Sequence, residues 1–570
     1  MAKGLDRIGV FLCHCGQNIA GSVDVAQVIE EIAQYPGVVH AEDYIYMCSD
    51  PGQELIRRAI REKGLSGIVN ANCSPSLHER TFRRLVASEG LNPYLCEIAN
   101  IREQCSWPHA HDKQAATRKA IAMIKATIER LRLNMGLTPI LIPLTKRALV
   151  IGAGIAGIQA ALDIAHGGYE VILVEREPSI GGHVVQLAAT FPTMENPARL
   201  MAGKIDEATS HPRIKLYTCS EVEAVSGYIG NFTVTIRHGD RLVPEEVGAI
   251  IAAPGFALFP RDRLEAFPDD PDVIDGLQFE RLLSPGGPTN GRVIRPSDGK
   301  VPQEVAFVSC AGSRDPEHGV AYCSRVCCMY IAKQVRLYKE RVPQGQAYVF
   351  YMDIRSDAKG FEEFAQGVMA QEGVLYLRGN VSRVFRDGDK LKVWGVDTLA
   401  GKSIEISADL VVLALAMVAR PESRELARRL NISVDENGFL TEAHIKLRPV
   451  ESLTSGIYLA GAAQWPRDIA DTIASASAAA SKVLSLFSRR ELLHEPTVAW
   501  VDEEVCIGCG QCVSVCGYRA ISLDEGRKVA RVNQALCQGC GACSASCPSK
   551  AMQHTNWSAR QFFEVMEAAV

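Results

Sequence analysis

The sequence predicts an α/β protein built on parallel, Rossmann-type sheets, preceded by a second α/β segment and closed by a small cysteine-rich module. Three observations predict it. Strand-length apolar runs recur, each leading through a turn into a helical pattern: "ALVIG" (148–152), "YEVILVE" (169–175) and "VAFVSC" (305–310); that alternation builds parallel sheets. The first run leads into Gly152, Gly154 and Gly157 at G-x-G-x-x-G spacing. And 19 cysteines gather as C-x-x-C, C-x-C and C-C groups, a spacing that in a long chain favours metal ligation over disulfides.

The bulk numbers bound the rest. A chain of 570 residues is too long for one core, so two to four domains are expected. A net charge of −5 gives no electrostatic case for nucleic acid or an anionic membrane. "LVVLALAMVA" (410–419), the longest apolar candidate, has the length of a buried strand, so no membrane span is expected. The N-terminus enters a strand pattern without a cleavable apolar leader, and the expected location is cytoplasmic.

Near the end stand "CIGCGQCVSVCGYRA" and "CQGCGACSASCPSKA". Each is C-x2-C-x2-C-x3-C, in which three thiolates wrap one face of a cubane and the fourth ligates the other cluster. Cys506, Cys509, Cys512 and Cys547 are expected to hold one cluster, and Cys537, Cys540, Cys543 and Cys516 the second. Two complete runs in tandem disfavour a zinc ribbon. Residues 498–552 resemble a bacterial-type ferredoxin with two [4Fe–4S] clusters; Gly517, where that pattern has proline, affects the local turn.

"RALVIGAGIAGIQAALDIAHGGYEVILVERE" (147–177) is a complete βαβ unit: strand, glycine turn, helix, strand and an acid, Glu175, followed by Arg176. The glycines allow a pyrophosphate close approach to the helix N-terminus, and the acid takes a ribose hydroxyl. Three later motifs resemble those of flavin disulfide reductases, and the resemblance implies FAD rather than NAD: Gly181-Gly182-His183, then Ala253-Pro254-Gly255 ending a strand, then "YLAGAAQ" with Gly461, Ala462 and Gln464. In this order they resemble the thioredoxin reductase family over about residues 147–486, although the acid usual after the last glycine is absent. In that family a nested domain binds NADPH through a second glycine loop. Here the slot reads "VAFVSCAGSRDP", which lacks that loop, so an autonomous NAD(P)H reductase is disfavoured. Cys310, Cys323, Cys327 and Cys328 fall within nineteen residues, one at a strand end and the others near a helix start, and favour an iron–sulfur cluster over a redox disulfide.

In the N-terminal segment Cys13 and Cys15 are expected on one strand face, with Cys48 and Cys73 ending two further strands that feed helices. Strand C-termini share one edge of a parallel sheet, where ligands bind. Cys105, in a later loop, can complete a set of four. Between Cys13 and Cys15 the sequence does not decide; Cys15, beside Gly16, is preferred. Cys96 reads as a packed strand residue.

The motifs "LCHCGQNIAG", "MCSDPGQ", "IREQCSW", "CAGSRD…YCSRVCC", the flavin set and the paired ferredoxin runs together resemble the A-type subunit family of heterodisulfide reductase over essentially the full length. The resemblance implies a thioredoxin-reductase-like FAD domain (145–490, the nested part at about 300–420), an N-terminal α/β iron–sulfur domain (1–141) and a ferredoxin domain (496–560). It implies FAD, four [4Fe–4S] clusters, Lys333 beside flavin N5, and electron bifurcation. It implies as partners the B- and C-type subunits, a donor of hydrogenase, [2Fe–2S]-adaptor or formate/NADH dehydrogenase type, ferredoxin, and a second copy in a homodimer. The alternatives are a plain electron-transfer scaffold and one component of a quinone-interacting, membrane-associated oxidoreductase.

Overall fold

The structure, a computed structural model, describes residues 5–569. It divides into two units: one joins the chain up to Ile142 with the chain from Leu493 on, and the other runs Pro143–Leu492.

The first unit begins with β1 (Ile8–Cys13), β2 (Val38–Tyr44), α1 (Asp50–Lys63), β3 (Gly67–Asn72), α2 (Pro75–Ser88), β4 (Cys96–Asn100) and α3 (Lys113–Arg132). The strands form a parallel sheet in the order β2-β1-β3-β4. Each helix starts where its sequence signals it. Ser49 caps α1 and Ser74 caps α2 through their side chains, with a proline in each first turn. Gly64 ends α1 at φ +59°.

The second unit contains two parallel sheets. β5 (Arg147–Ile151), α4 (Ile155–His166), β6 (Glu170–Val174), β7 (Ile214–Tyr217) and β8 (Ala249–Ala252) belong to the outer one. The nested sheet takes β9 (Val273–Asp275), β10 (Glu304–Ala311), β11 (Gln346–Tyr351), β12 (Val374–Arg378) and β13 (Leu410–Leu415), with α5 (Gly276–Leu283) and α6 (Cys327–Arg341) packed on it. β14 (Ile457–Leu459) then returns to the outer sheet and α7 (Ile469–Phe487) packs beside α4. The orders are β14-β8-β5-β6-β7 and β9-β13-β10-β11-β12, all parallel. The first six residues of "LVVLALAMVA", Leu410–Leu415, are thus the buried strand β13, and Met417–Ala419 form a separate short strand.

The chain from Leu493 on carries β15 (Ala499–Val501), β16 (Ile521–Asp524), β17 (Val529–Val532) and β18 (Met552–His554), paired as two antiparallel ribbons, and α8 (Ala559–Ala569). The sequence does not anticipate α8. It packs on α3: Gln561 donates to Asn134 Oδ1 at 2.8 Å, and Asn556 exchanges hydrogen bonds of 2.9 and 3.0 Å with the Met135 backbone. Arg130 stacks 3.5 Å over the Trp557 ring. The basic C-terminal end of α3 is therefore partly a contact surface.

Candidate active site and cysteine clusters

A cavity of about 470 Å³ runs from the carboxyl edge of the outer sheet to α6. Its glycines have separate tasks. Gly152 sits at φ +95°, and a Cβ there would meet the Ala253 carbonyl at 2.3 Å. A Cβ on Gly157 would lie 1.7 Å from the Gly152 carbonyl, so Gly157 sets the approach of α4 to the turn and does not itself line the cavity. Gly154 does line it, and a Cβ there would find only Gly182 at 3.9 Å. Gly154 also begins α4 without any side-chain cap, which leaves first-turn N–H groups for an anion.

Glu175, Arg176, Gly182, His183, Ala253, Pro254, Gly255 and Ala462 all line the cavity. Glu175 accepts the Ala153 N–H at 2.7 Å and the Glu177 N–H at 3.0 Å, so it also braces the glycine turn. Arg176 pairs with Glu177 and Glu422 at 3.3 and 3.2 Å. The His183 ring packs edge-on to Phe256 at 4.5 Å, and burial together with nearby Arg420 holds its pKa below the ordinary histidine value. Gly181, at φ +118°, serves the backbone: its N–H donates to Ala153 O.

Like Gly157 and Gly181, the motif residues Gly461 and Gln464 are not among those lining the cavity. The Gln464 amide donates to Pro449 O at 2.7 Å and to Glu442 at 3.3 Å, and the Gly461 N–H donates to Ser475. Arg467, Asp468, Ile469 and Thr472, at the start of α7, line it instead. The sequence held the signal, a small-residue helix after the last glycine, but not the register. The glycine cradle, uncapped helix, acid and long cavity fit FAD.

At the inner end stands Lys333, 1% exposed. Its ammonium contacts Glu280 Oε1 at 2.7 Å and donates to Ala189 O at 2.9 Å. Glu280 also accepts from Gln334 at 2.7 Å and from the Ala188 N–H at 2.9 Å. Lys333 therefore lies on the buried face of α6. The sequence did not single out Glu280, whose buried position depends on α5 packing against α6.

α6 begins at Cys327-Cys328, and Cys310 turns out of β10 at φ +59°. Hydrogen bonding among these thiols lowers Cys310, brings Cys328 down to about 7 and raises Cys327. Cys327 thus stands between Cys310 and Cys328, and all three are free thiols. Cys323 accepts the Arg325 N–H at 3.2 Å and feels the charge of Cys310 and Cys328. Arg314–Asp353 and Arg325–Asp357 pairs at 2.6 and 2.7 Å close the outer side. Soft sulfur donors packed this way fit an iron–sulfur cluster.

In the C-terminal segment one pocket is lined by Cys506, Cys509, Cys512 and Cys547 together. Cys537, Cys543 and Cys516 belong to the same core, and Cys540 is exposed. Backbone N–H groups of Ala530, Ala520 and Ala499 donate to Cys506, Cys516 and Cys537 at 3.3–3.4 Å. Such donors suit ligated thiolates.

The N-terminal cysteines differ from expectation in detail. Cys13 ends β1, but Cys15 lies past it in a turn at φ +50°, so the two do not share a strand face. Cys48 lies four residues beyond the end of β2, in the turn before α1. Cys73 follows β3 directly. Cys105 sits in a single π-helical turn, not an open loop. Its thiol is buried and donates to Ala116 O at 3.1 Å, toward α3. Arg102 donates to Cys15 Sγ at 3.0 Å. Cys96 is buried at the start of β4, as expected.

Residues 499–554 match the 4Fe–4S dicluster domain family, and residues 148–238 the FAD dependent oxidoreductase family. Among solved structures the chain is similar to the thioredoxin reductase of T. acidophilum, at 15% identity and TM-score 0.42, covering 60% of this chain and 99% of that one. The second iron–sulfur A-type subunit of CoB–CoM heterodisulfide reductase from Methanopyrus kandleri is 42% identical, with 92% of each chain covered. The A-type subunit of the H2:CoB–CoM heterodisulfide, ferredoxin reductase from Methanothermobacter thermautotrophicus is 40% identical, with 91% of each covered. With a flavin-type cavity, a dicluster segment and likeness of this extent, the chain is a flavin- and iron–sulfur-dependent oxidoreductase component that belongs to the A-type subunit family of heterodisulfide reductase.

Proposed function

We propose that this chain is the electron-bifurcating flavin subunit of a heterodisulfide-reductase-type complex, with FAD and four [4Fe–4S] clusters. The observation that carries the reading is a shared helix. α6 starts with Cys327-Cys328 and presents Lys333 to the cavity five residues later, a rise of about 7.5 Å. A cysteine cluster and the inner end of the flavin cavity are thereby held at short range on one rigid element, in the sheet where a related fold would bind NADPH. The names of the relatives, H2:CoB–CoM heterodisulfide, ferredoxin reductase and its formate-linked counterpart, support a hydrogenase- or formate-type donor and ferredoxin as one acceptor. B- and C-type subunits would carry the other branch, and a second copy of this chain would complete a homodimer.

Bound FAD supplies a carrier that takes electrons in pairs and releases them singly, and the clusters supply one-electron carriers. The chain's own residues prepare for that. Gly154 and the α4 N-terminus would hold the pyrophosphate. Lys333, held in place by Glu280, would offer a positive charge to the negative charge that reduction adds to bound flavin. The surrounding apolar packing of α5 and α6 keeps water from that end. Cys310, Cys323, Cys327 and Cys328 would hold one cluster, Cys506, Cys509, Cys512 and Cys547 a second, Cys516, Cys537, Cys540 and Cys543 a third, and the N-terminal thiols a fourth.

Anaerobic potentiometric titration of the flavin tests the reading. Bifurcation requires that the first electron leave at a much higher potential than the second. Release in the opposite order would make the chain a simple relay. Among the described residues no helix is long and apolar enough to cross a membrane.

A further inference from the structure

Arg420 lines the flavin-type cavity, yet its guanidinium makes no hydrogen bond or ion pair with any described residue, and its Nε is buried without a partner. The carboxylates around it are already engaged. Glu175 accepts the Ala153 and Glu177 N–H groups. Glu177 and Glu422 both pair with Arg176, although Glu422 stands only two residues from Arg420. A cation held this way lacks a counter-charge, and a buried donor is rarely left unpaired. The acceptor is therefore expected from a ligand of the cavity.

The backbone places this group beside the glycine cradle. The short strands Phe256–Leu258 and Met417–Ala419 pair as an antiparallel ribbon, with Phe256 opposite Ala419. Arg420 thus leaves the ribbon next to Gly255, and a Cβ on Gly255 would lie 4.0 Å from Arg420 Nε. Gly255 is two residues from Ala253, whose carbonyl a Cβ on Gly152 would meet at 2.3 Å. Two residues span at most about 7 Å. The cradle and the guanidinium therefore border one stretch of the cavity. The cradle alone is a weak anion site, because the uncapped start of α4 offers only about half a positive charge. A guanidinium adds a full charge and a planar fork that matches phosphate oxygens.

The same ribbon joins the two sheets of this unit. The chain leaves the outer sheet after β8 and reaches β9 of the nested sheet through Phe256–Leu258, and it returns from β13 toward β14 through Met417–Ala419. We propose that Arg420 binds the pyrophosphate of the dinucleotide cofactor and, through its place at the end of the ribbon, ties cofactor occupancy to the rigidity of the joint between the two sheets. The proposal rests on the FAD reading above and adds to it a residue that no glycine motif marks.

The test uses the full chain stripped of flavin and titrated calorimetrically with FAD, ADP and adenosine. ADP keeps the pyrophosphate and adenosine lacks it. Arg420→Met should weaken FAD and ADP by about tenfold to a hundredfold, the range of one hydrogen-bonded charge contact, and leave adenosine unchanged. Arg420→Lys keeps the charge but loses the fork, so its ADP affinity should fall between the two, with adenosine again unchanged; it carries the test should Arg420→Met fail to fold. Equal weakening of ADP and adenosine would make Arg420 a contact of the base or a structural residue, and an unchanged ADP affinity would separate it from the phosphates. Either result overturns the proposal while FAD binding stands. A wild-type chain that binds neither FAD nor ADP overturns both readings. Hydrogen exchange of peptides covering Phe256–Leu258 and Met417–Ala419, at saturating FAD, reads the joint. Exchange there should be faster in Arg420→Met than in wild type, and equal exchange overturns the coupling.

Discussion

Lys333→Met is expected to loosen α6 by stranding a charge. Lys333 and Glu280 are both almost fully buried and 2.7 Å apart. Removing one member of such a pair costs about 3–5 kcal/mol, because the remaining charge stays desolvated. Glu280 keeps two other donors, Gln334 and the Ala188 N–H, which places the loss near the lower end, about 3 kcal/mol. At about 1.4 kcal/mol per tenfold, that is roughly a 150-fold drop in amide protection. Hydrogen-exchange mass spectrometry of peptides from α5 and α6 reads it directly, in the regime where reclosing outpaces chemical exchange and protection reports the opening equilibrium. The double variant Lys333→Met/Glu280→Gln removes both charges and should recover most of the protection. Both variants lose whatever Lys333 does for bound flavin, so the difference between them isolates the stranded carboxylate. Equal protection in the single and double variants would refute the argument.

The remaining expectations concern cofactors. Gly154→Ala should fold yet fail to retain FAD, because its Cβ meets no protein atom closer than 3.9 Å but enters phosphate space; Gly157→Ala, 1.7 Å from a carbonyl, should disturb the fold itself. Stoichiometric FAD in folded Gly154→Ala, measured by absorbance, would refute the cradle. Lys333→Ala should lower the flavin midpoint potential with all cofactors bound; a loss of about 1.4 kcal/mol is about 30 mV for a two-electron couple, and an unshifted midpoint separates Lys333 from the flavin. The isolated chain should not be reduced by stoichiometric NADPH, since "VSCAGSR" replaces the second glycine loop; anaerobic bleaching of the flavin would show a surviving nucleotide site.

Much of the molecule is written locally. The G-x-G-x-x-G turn, the apolar strands, the Ser-capped helices with early proline and the ferredoxin runs act through neighbours in the chain, so spacing reveals them. The same locality explains why Cys506, Cys509 and Cys512 group as spaced. What spacing could not reach depends on contacts between distant segments. Glu280 faces Lys333 only because α5 packs on α6, 53 residues later in the chain. Gln464 turns to Pro449 and Arg467 takes its place at the cavity because the register of α7 is set by packing against α4. Cys105 points to Ala116, and α8 docks on α3, for the same reason: side-chain direction and long-range burial are decided when elements close on each other. The sequence by itself determined the folds and their cofactor chemistry, which depend on local turns and donor types. Only the tertiary structure decided which buried groups meet, because desolvation and pairing across the fold set those partnerships.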